Sequence, residues 1–509
     1  MSITQFIHRG KHMYGERTAF VYGQRTTSYN ELHERVSRSA AILQQLDSSE
    51  DARIGLLTAA SDLAITLFFA SSWAGMVPNY LNIRWSEHEL AGSIDDFRCR
   101  ILVVDDLFLD LGLALQRRCD CIEHLIYIGE RENLPSSVLK YDSLYASAEA
   151  IEDNSVDIDD LAYINYTGGT TGKGKGVMIS HRSHFAALNT IAAEGFVTAG
   201  DTLMALPLFH ISGIAMSNSA LMLGNTLHIL PAFDPVQVMQ VVQERQIVQA
   251  LLIPTMLQML VNHPQFEEFD LSSLRHIRYG ASPIDQALLA QVQRKLPWAD
   301  LMQVYGQTEC VPATFLHHRD HGEAGVASGR TRSAGTPCLG VEIIIRDEDG
   351  KPLPRGEIGE ITMRSSFVME GYLNMPEQTA TALRDGWVYT GDAGYMSEDD
   401  FLYVVDRIKD MIISGGENIY SAEVENAIAQ HEAVVQCAVV GLSDEKWGEK
   451  VHAEVVLNPG ASLSDSELTE FCRKYLATYK VPKSFCFVEA IPLTAVGKVD
   501  KVAIRQLRD

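Results

Sequence analysis

The sequence predicts an α/β protein. It reads as a large N-terminal domain of mixed and parallel sheets with crossover helices and a β-rich subdomain, followed by a small α+β C-terminal domain. Three observations predict this. Strand-like and helix-like apolar runs alternate up to about residue 300, the pattern of parallel strands joined by crossovers. From Gly335 the texture becomes strand–turn–strand, as in VEIIIRDEDGKPLPRGEIGEITMRS. At 406–410 charged residues separate two apolar runs, FLYVV and MII, and about a hundred residues come after them, an ordinary domain size. The expected boundaries are 1–405, a hinge at 406–410, and 411–509.

Taken in order, residues 15–28 form two short strands around a Gly turn and lead into an amphipathic helix near Tyr29. A strand at 53–57, an apolar helix at 61–73, a helix opening on SEHEL and a strand at 99–105 come next. Residues 161–166 read as a buried strand. The longest apolar stretches, 63–76 and 203–230, read as buried elements. The first is too short for a bilayer, and the second carries His210, Ser212, Asn218 and His228. In the C-terminal part, SAEVENAIAQH and SDSELTEFCRKYLA read as helices, VVQCAVVGL and KVHAEVVLN as strands.

The chain has 509 residues, too many for one core, and its composition is that of a globular protein. A net charge of −24 argues against nucleic acid or an anionic membrane as partner, while leaving room for a local basic pocket. Eight scattered cysteines without a CxxC pair, and an N-terminus lacking the apolar core of a secretory signal, predict reduced thiols in a cytoplasmic protein.

The stretch that carries chemistry is YTGGTTGKGKG, residues 166–176. Glycines let backbone amides approach an anion closely, and Thr167, Thr170, Thr171, Lys173 and Lys175 add hydroxyls and charge. It reads as a phosphate loop. Residues 169–175 fit G-x-x-x-x-G-K, but Gly176 stands where a P-loop NTPase needs a magnesium-binding hydroxyl.

The loop resembles the signature of the adenylate-forming superfamily, which includes acyl-CoA synthetases, luciferases and peptide-synthetase adenylation domains. The usual form is YTSGTTGxPKG; Gly168 replaces the Ser and Gly174 the Pro. Six more stretches match in the family's order: LPLFH, YGASP, VYGQTE, TGD, DRIKDMIISGGENIYSAEVE and PLTAVGKVDK. The resemblance implies that ATP is held by Thr167, Gly168, Gly169, Thr170, Thr171, Gly172 and Lys175 of the loop. It also implies an adenine site at Gly280, Ala281, Ser282, Tyr305 and Gly306, and a ribose grip at Asp392 with Arg407 beside it. Thr308 then approaches the α-phosphate, Glu309 holds Mg2+, Lys409 is the hinge, and Gly415, Gly416 and Glu417 line the coenzyme A channel. Lys498 is the implied catalytic lysine, and His210 borders the carboxylate pocket. Asp410 reads as a solvated linker charge.

The implied activity is that of an ATP-dependent acid:CoA ligase. Acyl-AMP forms with release of pyrophosphate, the C-terminal domain swings about Lys409, and a thiol takes the acyl group. The pocket candidates His210, Ile211, Ser212, Met216, Gly280, Val304 and Cys310 are mainly apolar. Residues 210–223 hold no acidic residue for an amino acid and no arginine for a second carboxylate. The expected substrate is therefore a medium- or long-chain fatty acid, with an aryl acid as the alternative. Loading of a carrier protein in trans, luciferase-type oxidation and a non-catalytic acyl or nucleotide sensor remain open, as does homo-oligomerisation.

Overall fold

The computed structural model describes residues 2–154, 156–167, 174–415, 417–494 and 499–508. Among these, the strands form five sheets. The first is wholly parallel, in the order Val77–Tyr80, Arg53–Leu57, Ile101–Val104, His124–Tyr127, Val138–Lys140. The second has nine strands. Its parallel centre includes Thr202–Met204, Gln249–Leu251, His276–Gly280 and Asp300–Gln307, and antiparallel strands close both edges. A five-stranded antiparallel sheet, Val341–Arg346 through Leu402–Arg407, is the β-rich part foreseen after Gly335.

Local chemistry starts the helices where the sequence places them. Ser28 and Glu31 form a reciprocal capping box at the head of Tyr29–Leu46: the Glu31 N–H donates to Ser28 Oγ, and Glu31 Oε2 accepts from the Ser28 N–H at 2.7 Å. Asp62–Trp73 is buried on nearly every face, as its uniformly apolar sequence requires. Its buried Asp62 is satisfied by Arg25 at 2.8 Å and Arg35 at 3.1 Å. The stretch 203–230 resolves into two buried strands around the helix Ile211–Met222. No helix among the described residues is long and apolar enough to cross a membrane.

Alternation up to residue 300 is not everywhere parallel. Leu161–Thr167 and Lys175–Ser180 are an antiparallel hairpin joined by Gly371–Tyr372. The phosphate loop therefore connects two strands of a small sheet, not a strand and a helix. Residues from Ile412 onward bury their apolar side chains in two clusters of their own, separate from the main core. The strand Leu402–Arg407 takes in the first two residues of the foreseen hinge, and Ile408–Asp410 forms a single 3-10 turn.

Candidate active site

The parallel strands of the nine-stranded sheet end on one edge, where Asp300–Gln307 turns back into an antiparallel partner. Ligands of open α/β sheets collect at such carboxyl edges. Gly280 ends its strand opposite Val304, and a Cβ at 280 would lie 2.3 Å from the Val304 carbonyl oxygen, so only glycine fits. The next residue, Ala281, has φ +65°, a left-handed conformation that costs alanine about 1–2 kcal/mol. The strained turn 280–282 faces the end of Asp300–Gln307, where Tyr305 and Gly306 lie. A Cβ at Gly306 would meet the Cys310 carbonyl oxygen at 2.9 Å.

Asp392 is the hub of this edge. It sits on Trp387–Met396 in register with Arg407 and is only 4% exposed. Its Oδ2 accepts from the Tyr305 hydroxyl and from Gln307 Nε2, each at 2.7 Å, and its Oδ1 faces Arg407 Nε at 2.7 Å. Gln307 also donates to the Thr390 carbonyl at 2.9 Å. Burial and the Asp392 charge push the Tyr305 phenol well above its ordinary range, so it stays a donor. The TGD motif and the VYGQTE motif, more than eighty residues apart, thus meet in one polar cluster. Gln307 is a member that the sequence motifs did not single out.

Glu309 accepts from the Tyr372 hydroxyl at 2.7 Å, and Lys175 Nζ lies 4.7 Å from the centre of the Tyr372 ring. Tyr372 reaches this position because its short strand pairs with the return strand of the hairpin, opposite Val177. The described end of the phosphate hairpin, Thr167 and Lys175, therefore stands beside the acidic residue assigned to the metal. Residues 168–173, which include Gly168, Gly169, Thr170, Thr171 and Gly172, lie outside the described residues, as do Gly416 and Lys498. Among the described residues no group of three or more His, Cys, Asp or Glu gathers as a metal site. A single carboxylate beside a phosphate site nonetheless suits Mg2+, which takes most of its oxygens from phosphates and water.

His210 caps the helix Ile211–Met222: its Nδ1 lies 2.7 Å from Ser212 Oγ and accepts from the Ser212 N–H at 3.2 Å. Beside that cap a cavity of about 20 Å³, room for one water, runs between this helix and His181–Ala193. Ile211, Ala215, Leu188, Ile191 and Phe367 make its apolar wall, and buried Thr308 lies at one side. Of the foreseen pocket residues, Ile211 lines it directly. Met216 turns into the main core, and Gly280, Val304 and Cys310 belong to the neighbouring strands. Burial raises the Cys310 thiol to about 11, which keeps it protonated and inert.

The cavity has a polar side that the sequence motifs missed. His184 is held by the Tyr163 hydroxyl at Nδ1 and by Asn218 at Nε2, each at 2.9 Å. Burial lowers His184 to about 3 and its neighbour His181 to about 4. The unfolded chain protonates both near pH 6.5, the folded chain far lower. Stability is therefore complete above pH 6.5 and declines as pH falls toward 4, by about 1–2 kcal/mol per histidine at pH 5. Urea unfolding midpoints are expected to fall between pH 7.5 and 5, and less steeply in His184→Asn; a flat profile contradicts this.

Beyond Arg407 the chain is tied to the helix after the turn. Asp406 Oδ2 accepts from the N–H and the hydroxyl of Ser421, capping the helix Ser421–Ile428. Lys409 is exposed on the turn, and partial desolvation of its ammonium lowers its pKa. Asp410 is not the solvated charge the sequence suggests: Arg505 holds it at 3.0 Å. Gly415, at φ +65°, backs onto Trp447, where a Cβ would lie 2.8 Å from the indole. The exposed Trp447 ring is flanked by Lys483 and Lys446, their ammonium groups 3.9 and 4.7 Å from its centre. Glu417 is exposed on the strand facing Ser414.

Family models of known proteins match this chain twice, as AMP-binding enzyme over residues 7–373 and as the AMP-binding enzyme C-terminal domain over residues 423–498. Among curated relatives, the medium/long-chain-fatty-acid–CoA ligase FadD8 of Mycobacterium tuberculosis is 34% identical, covering 93% of this chain and 84% of its own. A feruloyl-CoA synthase from Amycolatopsis is also 34% identical, covering 96% and 95%. Among solved structures, ATP-bound MatB from Rhodopseudomonas palustris superposes with a TM-score of 0.90 at 29% identity, covering 100% of this chain and 99% of that one. The chain belongs to the AMP-binding enzyme family, and with it to the adenylate-forming superfamily.

Proposed function

We propose that the protein is an AMP-forming acid:CoA ligase acting on a hydrophobic carboxylic acid. The observation that carries this is the buried Asp392, gripped by Tyr305, Gln307 and Arg407 within the same edge that presents Glu309, Tyr372 and Lys175. A carboxylate with two accepting oxygens matches a ribose diol, and a lysine beside a lone glutamate matches Mg2+-bound phosphates. The acid's oxygen attacks the α-phosphorus, pyrophosphate departs, and a thiol then displaces AMP from the acyl carbon. Glu309 would hold the Mg2+, which offsets phosphate charge when bound. Thr308 and Lys175 place donors toward the phosphates, and Lys498 supplies the cation for the first step.

Coenzyme A as acceptor is supported by the exposed Trp447 between two lysines, next to Gly415: a flat ring and local positive charge on an otherwise acidic protein. Eight free cysteines suit the reducing cytoplasm. The apolar wall favours a medium- or long-chain fatty acid, which enters only if the narrow cavity widens. The polar side at Tyr163 and His184 favours a second reading, an aryl acid with a polar distal group. Pyrophosphate release with ATP and a panel of such acids, followed by thioester formation on adding CoA, tests both. No release with any hydrophobic acid overturns the proposal. Transfer to a phosphopantetheinylated carrier but not to CoA would reassign the acceptor.

The two half-reactions need different surroundings, so the 408–410 turn is proposed as the hinge between an N-terminal domain ending near 405 and a C-terminal domain from 411. Lys409→Pro fixes φ in that turn and removes a backbone donor. It is expected to leave acid-dependent pyrophosphate release within about threefold of normal and to lower thioester formation 100-fold or more. Normal thioester formation in that variant would contradict the hinge.

A further inference from the structure

Trp85 belongs to none of the motifs, yet its ring closes on the phosphate hairpin. A Cβ at Gly174 would lie 2.5 Å from Trp85 Cη2, 3.1 Å from Cζ2 and 3.3 Å from the Thr167 carbonyl oxygen. Gly174 is therefore clasped between the indole and the opposite strand. On the other side of Lys175, a Cβ at Gly176 would lie 3.0 Å from Tyr166 Cζ. Tyr166 meets Trp85 edge-on at 6.4 Å and is itself fixed by donating to Asp96 at 2.7 Å. Trp85 is set by a tight turn: its N–H donates to the Asn82 carbonyl at 3.0 Å, while Asn82 Oδ1 accepts from the Arg84 N–H at 3.1 Å. Two rings thus pack against the two glycines that bracket Lys175, whose ammonium rests on Tyr372 beside Glu309.

We propose that Trp85 is a positioning residue for the nucleotide phosphates. Its indole fixes Gly174, and through it the point at which Lys175 leaves the hairpin. The inference rests on the ATP-site reading of the hairpin, so pyrophosphate release by the parent enzyme is established first; failure there concerns the function, not Trp85.

Trp85→Ala is expected to raise the KM for ATP about tenfold while the KM for the acid stays within about twofold. Gly174→Ala drives a methyl into the indole and is expected to raise the ATP KM similarly. In the double variant the methyl fills the space the indole vacated, and the ATP KM is expected to be no worse than in either single variant. Trp85→Phe, which keeps a ring, guards against simple misfolding and is expected to retain most of the ATP affinity. ATP binding without acid, read by calorimetry, should show the same order. Multiplying effects in the double variant, or equal rises in both KM values, would overturn the proposal.

Discussion

Lys498→Ala is expected to slow acyl-adenylate formation by about 100-fold or more and to leave thioester formation from supplied acyl-AMP near its normal rate. The asymmetry arises from charge. Adenylation brings together a carboxylate, the α-phosphate and a departing pyrophosphate, all anionic, and their mutual repulsion must be offset. Glu309 itself is negative, so in the proposed site Mg2+, Lys175 and Lys498 would supply the offsetting positive charge. Thioester formation starts from the mixed anhydride, with pyrophosphate already gone, and has less charge to neutralise. Pyrophosphate release and thiol consumption from synthetic acyl-AMP measure the two steps separately. Equal loss in both would show that the lysine does not divide them.

Asp392→Asn is expected to weaken ATP binding by about 100-fold while the protein still folds. The asparagine oxygen can keep the Tyr305 and Gln307 hydrogen bonds, but it cannot balance Arg407. Breaking a fully buried ion pair costs about 3–5 kcal/mol. Arg407 is 45% exposed, so water relieves much of that, and the stability loss should be modest. The nucleotide has no such relief, because in the proposed grip the ribose loses its anionic acceptor. Calorimetric ATP titration beside thermal unfolding separates the two effects. An Asn variant that binds ATP as tightly as the parent would remove Asp392 from the nucleotide site.

What could be read from the sequence was local or motif-based. The helix after Ser28 announces itself by Glu31 three residues on, and the Asp62–Trp73 helix by unbroken apolarity. The separate cores after Ile412 match a visible change of texture. What was hidden depends on register between distant strands. Tyr372 reaches Glu309 only because its two-residue strand joins the hairpin, and nothing around Tyr372 in the sequence signals that. His184 and Asn218 come from two different helices, and each alone reads as an ordinary core polar residue. Asp410 looked solvated because its partner, Arg505, lies ninety-five residues away. Gly174, visible only as a departure from the family form, has its steric reason in Trp85, a residue in an unremarked turn.

Asp406 lies before the 408–410 turn, yet its carboxylate holds the start of a helix that lies after it. A rotation about that turn would strip the helix of its cap, at a cost of about 1 kcal/mol. If the proposed hinge turns there, Asp406 acts as a detent: its hold on Ser421 favours the pose seen here, and whatever drives the rotation has that catch to overcome.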